Sequence, residues 1–565
     1  MNLRKAEIEI ARDTCMWLLS DERYKSWGDH DGGLLWLTGK PGAGKSTLMK
    51  FAANHAEEAA HRRNKPQVIV SFFFYGRGTT LQKSTVGFLR AVLHQILPHY
   101  PRKLSELTKR FESQCADHGA PEKDWNWHEQ DLKAFVFSLL EEVSQEDTIQ
   151  LFVDALDECG EEDALKLVEL FQRLMERNTR QKSKLQIFFS CRQYPLLHLE
   201  NGIKITPEEH NQDDIRTVVS RILRDRALAD EPAQRLGAEI VENARGVFLW
   251  AVLVTSRIAT LNRQGKSIAA IKDSIRKIPR ELHELYKVIL LRTGVEAEDL
   301  SRSMKLFQWV CLAERRLSVL ELQHALAIDP DFEYKTILDY TKQPEMAEDE
   351  RQTTRMINYL SRGLVEVKAG YVQAIHQTVH DFLIGGALNA FPAATGAVPT
   401  DAIGSGHLMM FRTCLRYLSL SEVAGLKERE INTRSQTLLL RAAYPLMGYA
   451  TTCWVFHACR TEDAGLADRA FLQLIYRTFE PCNMENWLWI HREIRAKEGA
   501  RRAHTLGTSL SHIAAAFKMP SLLSDIASNP EYDLNLTDAE GRTPLWLAVS
   551  LKNREMVSCY SATSA

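Results

Sequence analysis

Short apolar runs alternate with amphipathic stretches up to about residue 205. The apolar runs have strand length and almost no polar interruption, and they are residues 34–37, 67–74, 149–154, 185–190 and 203–205. Apolar positions recur at helical spacing in residues 8–19, 48–60, 84–97 and 132–143. Strands that alternate with helices in this way predict an α/β fold with a parallel sheet covered on both faces.

A glycine-rich turn follows the first apolar run. It matches the complete phosphate-loop pattern G-x-x-x-x-G-K-[ST] and lies between a predicted strand and a predicted helix. The glycines let the backbone turn tightly with its N–H groups pointing inward, and the helix adds the positive end of its dipole. Lys45 would reach the β- and γ-phosphates, and the Ser46 hydroxyl would bind Mg²⁺. The nucleotide-binding residues we expect are Gly39, Pro41, Gly42, Ala43, Gly44, Lys45, Ser46 and Thr47. The alternative is an ordinary glycine-rich turn.

The third apolar run ends in acidic residues, with Asp154 at its end and Asp157 and Glu158 shortly after it. A carboxylate at the end of a buried strand can hold Mg²⁺, and a later one can orient or deprotonate the attacking water. We assign Asp154 to the metal with Ser46 and Glu158 to the water, with Asp157 as the rival. An exposed acidic turn is the alternative. Arg192, after the fourth run, either senses the γ-phosphate at the carboxyl edge of the sheet or lies at the surface.

Composition narrows the range of partners. A chain of 565 residues has room for three to five domains, and its 45% apolar and 25% charged residues are typical of a globular protein. A formal net charge of −2 gives no electrostatic case for nucleic acid or an anionic membrane. The ten cysteines lack metal-like spacing, so we expect buried free thiols in a reducing compartment. The charged N-terminus does not fit a signal peptide, and residues 246–258 are too few to span a bilayer. We therefore expect a cytoplasmic protein.

Several segments resemble one family, the fungal NOD-like receptors, which carry a nucleotide-binding NACHT domain. Residues 34–50, 71–74, 151–159 and 189–195 resemble the NACHT domain itself. Residues 246–251 and 278–286 resemble the helical segment behind it, and residues 317–326 and 372–383 resemble its winged-helix part. The resemblance is close over residues 10–385 and loose over the rest.

The resemblance implies a signal-transducing ATPase of the STAND class. Such proteins are closed with ADP, and with ATP they open and assemble into a ring-like homo-oligomer. The implied cofactors are ATP or ADP and Mg²⁺, and the motif match gives Lys45, Ser46, Asp154, Glu158 and Arg192 the roles described above. The family favours ATP over GTP, and the chain has no Asn-Lys-x-Asp pattern for reading guanine.

The resemblance also singles out His376, which opens a predicted helix in the winged-helix segment. It resembles the latch histidine that reaches the β-phosphate of ADP in the closed state, where an imidazole can donate a hydrogen bond. A helix-capping or core histidine is the alternative, and His380 is the rival latch. Gly246-Val-Phe248 stands where plant and animal relatives have the Gly-x-Pro motif that borders adenine. Tyr24 or Trp27 could border the base instead, although core packing is the stronger reading for both.

The end of the chain resembles ankyrin repeats. Residues 538–549 match the T-P-L-H-x-A signature with Trp546 in place of His, and residues 511–515 form a degenerate earlier copy. We expect a protein or other ligand to bind through these repeats. Only about two repeats are present, so we expect an array that is either cut here or naturally short. Only about thirty residues precede the first strand, so we expect the signalling domain to be missing or supplied by a partner.

The domain boundaries that follow are 1–30 for an N-terminal helical lead-in, 31–206 for the NACHT P-loop NTPase domain, 207–278 for a helical domain, 279–390 for a winged-helix-like domain, 391–502 for a helical connector and 503–565 for the start of the ankyrin repeats. The aromatic residues of the connector predict a helical core, with a surface that stacks sugars or bases as the alternative.

Two other function classes compete with a regulated switch. A scaffold could keep nucleotide as a structural cofactor and hydrolyse almost none of it, but it would not need the carboxylates Asp154 and Glu158. A metabolic phosphotransferase shares the phosphate loop, yet no motif for a second substrate follows. The sequence therefore favours a weak ATPase that acts as a switch.

Overall fold

The computed structural model describes residues 3–29, 33–63, 67–76, 78–119, 125, 127–181, 183–192, 202–225, 230–290, 297–343, 346–390, 401–426, 442–479, 481–497, 507–529 and 532–563. Gly32, Arg77 and residues 193–195 belong to predicted turns and motifs but lie outside these ranges. The chain forms two compact units, Met1–Leu285 and Tyr286–Ala565.

The first unit contains a five-stranded parallel sheet. Its strands are β1 (Gly33–Thr38), β2 (Gln67–Phe73), β3 (Thr148–Asp154), β4 (Leu185–Cys191) and β5 (Ile203–Ile205), in the order β2-β3-β4-β1-β5. All five predicted strands are confirmed. Since parallel strands end at one common edge, β1 delivers the phosphate loop and β3 delivers Asp154 to the same side of the sheet.

Helices cover both faces of this sheet, as predicted. The helices from the start of the chain to the end of the first unit are, in chain order, α1 (Leu3–Glu7), α2 (Glu22–Asp29), α3 (Lys45–Arg63), α4 (Thr85–Ile96), α5 (Pro101–His118), α6 (Glu129–Glu146), α7 (Glu161–Gln181), α8 (Gln212–Asp225), α9 (Asp230–Ala244), α10 (Phe248–Arg263), α11 (Ile268–Arg276) and α12 (Leu282–Leu290), the last of which spans the boundary at Leu285. One core cluster packs α4, α6 and α7 against the sheet, and a second packs α2 and α3 against its other face. The chain therefore has an α/β P-loop NTPase fold followed by a region rich in helices.

The helix predicted over residues 8–19 is wrong. The chain instead leaves α1 at Glu7, runs without regular structure to Cys15 and forms a 3₁₀ turn at Met16–Ser20. Asp13 and Cys15 have φ angles of 64° and 69°, in the left-handed region. Polar contacts hold this path in place, because the Asp214 carboxylate accepts the Cys15 N–H at 2.9 Å. Apolar periodicity could not reveal a partner two hundred residues away.

Core packing is the correct reading for Trp27. Its side chain is 2% exposed and packs against Phe152 and Phe188 on the sheet, with ring centroids 6.0 and 5.7 Å away. Its indole N–H donates to the Gly33 carbonyl at 3.1 Å. Tyr24 packs on the same cluster.

The described residues of the second unit are helical apart from one antiparallel hairpin, β6 (Val365–Lys368) and β7 (Tyr371–Ala374). Its helices are α13 (Ala297–Leu312), α14 (Val319–Ala327), α15 (Ile337–Thr341), α16 (Glu350–Ser361), α17 (Gln377–Ile384), α18 (Ala402–Leu418), α19 (Ser421–Ala424), α20 (Met447–Asp463), α21 (Arg469–Thr478), α22 (Pro481–Lys497), α23 (Leu510–Phe517), α24 (Pro520–Ser528), α25 (Pro544–Ser550) and α26 (Arg554–Thr563). The last four form two successive helix pairs. The domain boundaries and the ankyrin assignment stay predictions.

The thiols are less buried than the sequence predicted. Nine cysteines in the described ranges are free, but only Cys15, Cys191, Cys414 and Cys453 are buried, and the other five are partly exposed. No helix in the described part of the chain is long and apolar enough to cross a membrane.

Candidate nucleotide-binding site

The glycines of the phosphate loop meet two different requirements. Gly42 and Gly44 have φ angles of 79° and 90°, which L side chains rarely adopt. Gly39 lacks such a φ angle, but a Cβ atom there would lie 2.3 Å from the Glu208 carboxylate. A side chain at Gly39 would therefore displace the Glu208 carboxylate, and the role of Gly39 in the turn stays a prediction.

The Lys45 ammonium lies inside the loop, at the start of α3. It donates to the Gly39 carbonyl at 2.8 Å and to the Lys40 carbonyl at 3.0 Å. Burial lowers the pKa of Lys45, and the negative charges of Asp157, Glu208 and Asp154 oppose that shift. These carboxylates favour the cationic form, which is the form that binds phosphate.

The outer side of the loop is held by segments that follow the sheet. Glu208, just after β5, accepts the backbone N–H of Lys40. The Asn211 side-chain amide donates to the Ala43 carbonyl at 3.1 Å and to the Gly246 carbonyl at 2.8 Å. We call these two residues the outer clamp. The sequence analysis missed the clamp, because an isolated Glu or Asn after a strand carries no motif.

The start of α10 also reaches the loop. The Leu249 N–H donates to the Gly42 carbonyl at 3.2 Å, and a Cβ at Gly44 would lie 3.3 Å from the Phe248 ring. The segment that replaces the Gly-x-Pro motif therefore touches the phosphate loop.

Asp154 is fully buried at the end of β3. Its Oδ1 accepts the Ser190 hydroxyl at 2.6 Å, while Oδ2 has no hydrogen bond of ordinary geometry from the described residues. Burial raises the pKa of Asp154, and the hydroxyls of Ser190 and Ser46 together with the charges of Arg4 and Lys45 oppose it. A free carboxylate oxygen beside the Ser46 hydroxyl offers the hard oxygen ligands that Mg²⁺ prefers. These residues fit a magnesium ion that takes its other ligands from water and phosphate.

The two carboxylates after β3 have different partners. Asp157 forms an ion pair with Arg192, with Nε 2.9 Å from Oδ2, and its Oδ1 accepts the Arg192 backbone N–H at 3.1 Å. Glu158 Oε2 accepts the Gly76 N–H at 2.6 Å. The structure thus joins Arg192 to Asp157 and links Glu158 to the end of β2, a pairing that the sequence did not indicate.

A cavity of about 160 Å³ adjoins the loop. Gly44 and Thr47 line it on the loop side, Asn211 and Asp214 on the α8 side, and Phe248 at the start of α10. The irregular segment before α2 closes it with residues that include Thr14, Cys15 and Trp17. Because the cavity shares Gly44 and Thr47 with the phosphate loop, it can take the base of a nucleotide whose phosphates lie in the loop.

Two further aromatic and basic residues were missed. Trp17 lines the cavity and stacks on His210, with ring centroids 4.9 Å apart. The Arg4 guanidinium lies 5.0 Å from the centre of the Tyr75 ring and contributes positive charge near Asp154. Trp17 belongs to the segment whose path was mispredicted, and Arg4 lies in α1 just before it, so pattern alone could not place them.

His376 lies in the second unit and caps α17. Its Nδ1 accepts the Thr378 N–H at 3.1 Å and lies 2.9 Å from the Thr378 hydroxyl. His380 Nε2 lies 3.3 Å from the Cys311 carbonyl. The capping role that the sequence left as the alternative is therefore present, while the latch role stays a prediction.

One family model and a set of solved structures are similar to this chain. A family model described as "Nephrocystin 3, N-terminal" matches residues 13–192, less than half of the chain. No curated protein matches. Among solved structures, the ORC2 protein of Aeropyrum pernix in ADPNP–ADP complexes is 12% identical, with a TM-score of 0.28 over 70% of this chain and 91% of that one. The ORC1 protein of Aeropyrum pernix in complex with DNA is 11% identical, with a TM-score of 0.30, and the match covers 68% of this chain and 94% of that one. Likenesses this distant say nothing about the ligands of this chain.

Proposed function

We propose that the chain is a nucleotide-dependent signalling switch that binds ATP or ADP with Mg²⁺ and hydrolyses ATP slowly. The observation that carries the proposal is the phosphate loop, in which Gly42 and Gly44 adopt the required left-handed backbone and Lys45 lies within it. Asp154 and Ser46 would hold the metal, whose charge would neutralise the phosphates.

Glu158 is the proposed general base. As a carboxylate, it can accept a proton from an attacking water while the Gly76 N–H orients it through Oε2. Asp157 is the weaker candidate, because its two oxygens are already bonded by the Arg192 backbone and guanidinium. Arg192 would sense the γ-phosphate by exchanging its Asp157 partner for a phosphate oxygen.

The regulatory part of the proposal concerns the second unit. His376 would donate to the β-phosphate of ADP in a closed state, and loss of that contact would free the chain to assemble with copies of itself. The two C-terminal helix pairs would take a protein or other ligand. These roles rest on the family resemblance, and the capping bond from Thr378 gives the competing explanation for His376.

A scaffold that only retains nucleotide is the second candidate. The observation in its favour is that Glu158 and Asp157 both accept hydrogen bonds within the protein. A carboxylate engaged in this way can serve the architecture of the loop after β3 without acting on water. Slow or absent turnover with tight binding would favour this candidate over the switch.

The nucleotide retained by the purified protein tests the proposal. Chromatography after denaturation should identify ADP or ATP at close to one per chain, and prior dialysis against EDTA should lower the amount because Asp154 and Ser46 then lose the metal. Guanine nucleotide would contradict the assignment of ATP, and absence of any nucleotide together with no uptake of added magnesium–ATP would contradict the proposal itself.

A further inference from the structure

The cavity beside the phosphate loop contains one polar side chain whose orientation is fixed. Asn211 is 2% exposed, and its amide nitrogen donates to two carbonyls, those of Ala43 and Gly246. A carbonyl oxygen can only accept, so the side chain cannot be turned the other way round. The position of Oδ1 is therefore determined by the clamp that holds the loop.

Oδ1 of Asn211 has no hydrogen-bond partner among the described residues, although it is buried. A buried amide oxygen without a donor is costly, and buried oxygens in folded proteins almost always have one. Two carboxylates also line the cavity: Asp214 already accepts the Cys15 N–H at 2.9 Å, and Glu9 has a partner of its own within the protein. Asn211 Oδ1 is thus the buried acceptor of the described lining that lacks a donor, and a ligand can supply one.

The rest of the lining restricts which base fits. No lysine, arginine or histidine lines the cavity. Two hydroxyls line it: that of Thr14 already donates to the Ala11 carbonyl at 2.6 Å, and Thr47 belongs to the phosphate loop, where the phosphates would lie. A base with a carbonyl at position 6 would bring an acceptor toward Asn211 Oδ1, whereas a base with an amino group there brings a donor.

We propose that Asn211 Oδ1 accepts a hydrogen bond from the exocyclic 6-amino group of the purine, and that this residue determines the choice of adenine over hypoxanthine and guanine. The inference rests on the proposed function, since it needs the phosphates to lie in the loop. One side chain then serves two purposes, because its nitrogen holds the loop and its oxygen reads the base.

The first experiment changes only the ligand. Isothermal titration calorimetry on the full chain compares the magnesium complexes of ATP, inosine triphosphate and purine riboside triphosphate, which carry an amino group, a carbonyl and hydrogen at position 6. ATP should bind about tenfold or more tightly than either analogue. Equal affinities for all three would overturn the inference.

Magnesium tripolyphosphate separates this failure from failure of the proposed function. If it binds and the three nucleotides are equal, the loop binds phosphate and Asn211 does not read the base. If neither tripolyphosphate nor any nucleotide binds, the nucleotide site itself is wrong and the inference falls with it.

The second experiment changes the protein. Asn211→Ala should bring the affinity ratio of ATP to purine riboside triphosphate close to one, and the ratio is unaffected by a general weakening of the loop. Asp214→Asn is the matched control, because its amide oxygen can still accept the Cys15 N–H, and the ratio should stay as in the wild type. An affinity ratio that falls to about one in Asp214→Asn but stays at the wild-type value in Asn211→Ala would overturn the assignment. Should Asn211→Ala fail to fold by circular dichroism, the ligand series alone decides.

Discussion

Two clusters of buried polar groups in the molecule are built differently. Around the phosphate loop, Asp154 Oδ2, Glu208 Oε2 and Asn211 Oδ1 have no hydrogen-bond partner among the described residues. In the second unit, three polar side chains of α18 and α20 bond one another. His407 Nδ1 lies 2.9 Å from His457 Nδ1, and His457 Nε2 lies 2.8 Å from the Tyr449 hydroxyl.

The difference distinguishes a binding site from a structural polar core. The histidine cluster closes on itself, since the Tyr449 hydroxyl also accepts the Glu314 N–H at 3.2 Å. In the loop cluster, the atoms without a partner are acceptor oxygens. A metal ion or a hydrogen-bond donor of a ligand could bind them. Burial alone would not separate the two, because Asp154 and His457 are both fully buried. Lack of a partner alone would not separate them either, because Thr451 Oγ1 and Trp454 Nε1 on α20 also have none among the described residues. The loop cluster differs in that its three atoms without a partner are all acceptors and lie around the phosphate loop.

The largest effect is expected from Glu158→Gln, which keeps the shape of the side chain and removes the base. Hydrolysis in a single-turnover assay should slow by about 10²-fold or more, while ATP still binds. Asp157→Asn is the control and should have the smaller effect on the chemical step. If Glu158→Gln hydrolyses ATP at the wild-type rate, another group must be the general base.

His376→Ala should speed the release of ADP by about ten- to a hundredfold, if a charge-assisted contact worth roughly 1.5–3 kcal/mol holds the closed state. His376→Asn is the matched control, because asparagine is a good helix N-cap but does not reproduce the imidazole. A stopped-flow rate that is raised by Ala and restored by Asn would show that the residue only caps α17. A raised oligomeric fraction in both variants is the result the latch predicts.

The histidine cluster should make stability depend on pH. Burial lowers the pKa of His407 to about 4, with a further contribution from Arg460 and opposition from Asp401 and Asp463. The pKa of His457 is also lowered, by burial and by His407. An unfolded histidine takes up a proton near pH 6.5, whereas the folded cluster does not. The contribution of these neutral histidines to the free energy of unfolding is therefore complete above pH 6.5 and is lost as the pH falls toward 4.

From His407 alone, the free energy of unfolding should fall by about 2 kcal/mol at pH 5. This pH is about 1.5 pH units below the ordinary histidine pKa of 6.5, and each pH unit is worth about 1.36 kcal/mol. Urea denaturation of the wild type and of His407→Gln at pH 7 and pH 5 measures it. The variant should lose less stability than the wild type between the two values. The same loss in both proteins would mean that other groups carry the acid sensitivity.

The sequence predicted most of what lies on regular elements of the first unit. The five strands, their parallel arrangement and the phosphate loop each left a local pattern, namely apolar runs and glycines at fixed spacing. Asp154 and Arg192 could be placed at the same sheet edge, because parallel strands end there together.

The rest of the site depends on contacts between distant segments. Residues 8–15 have helical periodicity, but the Asp214 carboxylate holds Cys15 in a left-handed conformation. Glu208 and Asn211 carry no motif and acquire their roles only when β5 places them against the loop. Local pattern cannot report such contacts, so the cavity and the outer clamp became visible only in the structure.

The affinity of magnesium–ATP for the wild type and for Lys45→Ala, measured by isothermal titration calorimetry, tests the central claim most directly. Lys45 supplies the ammonium inside the loop, where it donates to the Gly39 and Lys40 carbonyls. If this loop binds the β- and γ-phosphates, the substitution should remove tight binding, with a loss of at least about a hundredfold, and leave the circular dichroism spectrum unchanged. An affinity within about twofold of the wild type would contradict the assignment of the loop as the nucleotide site.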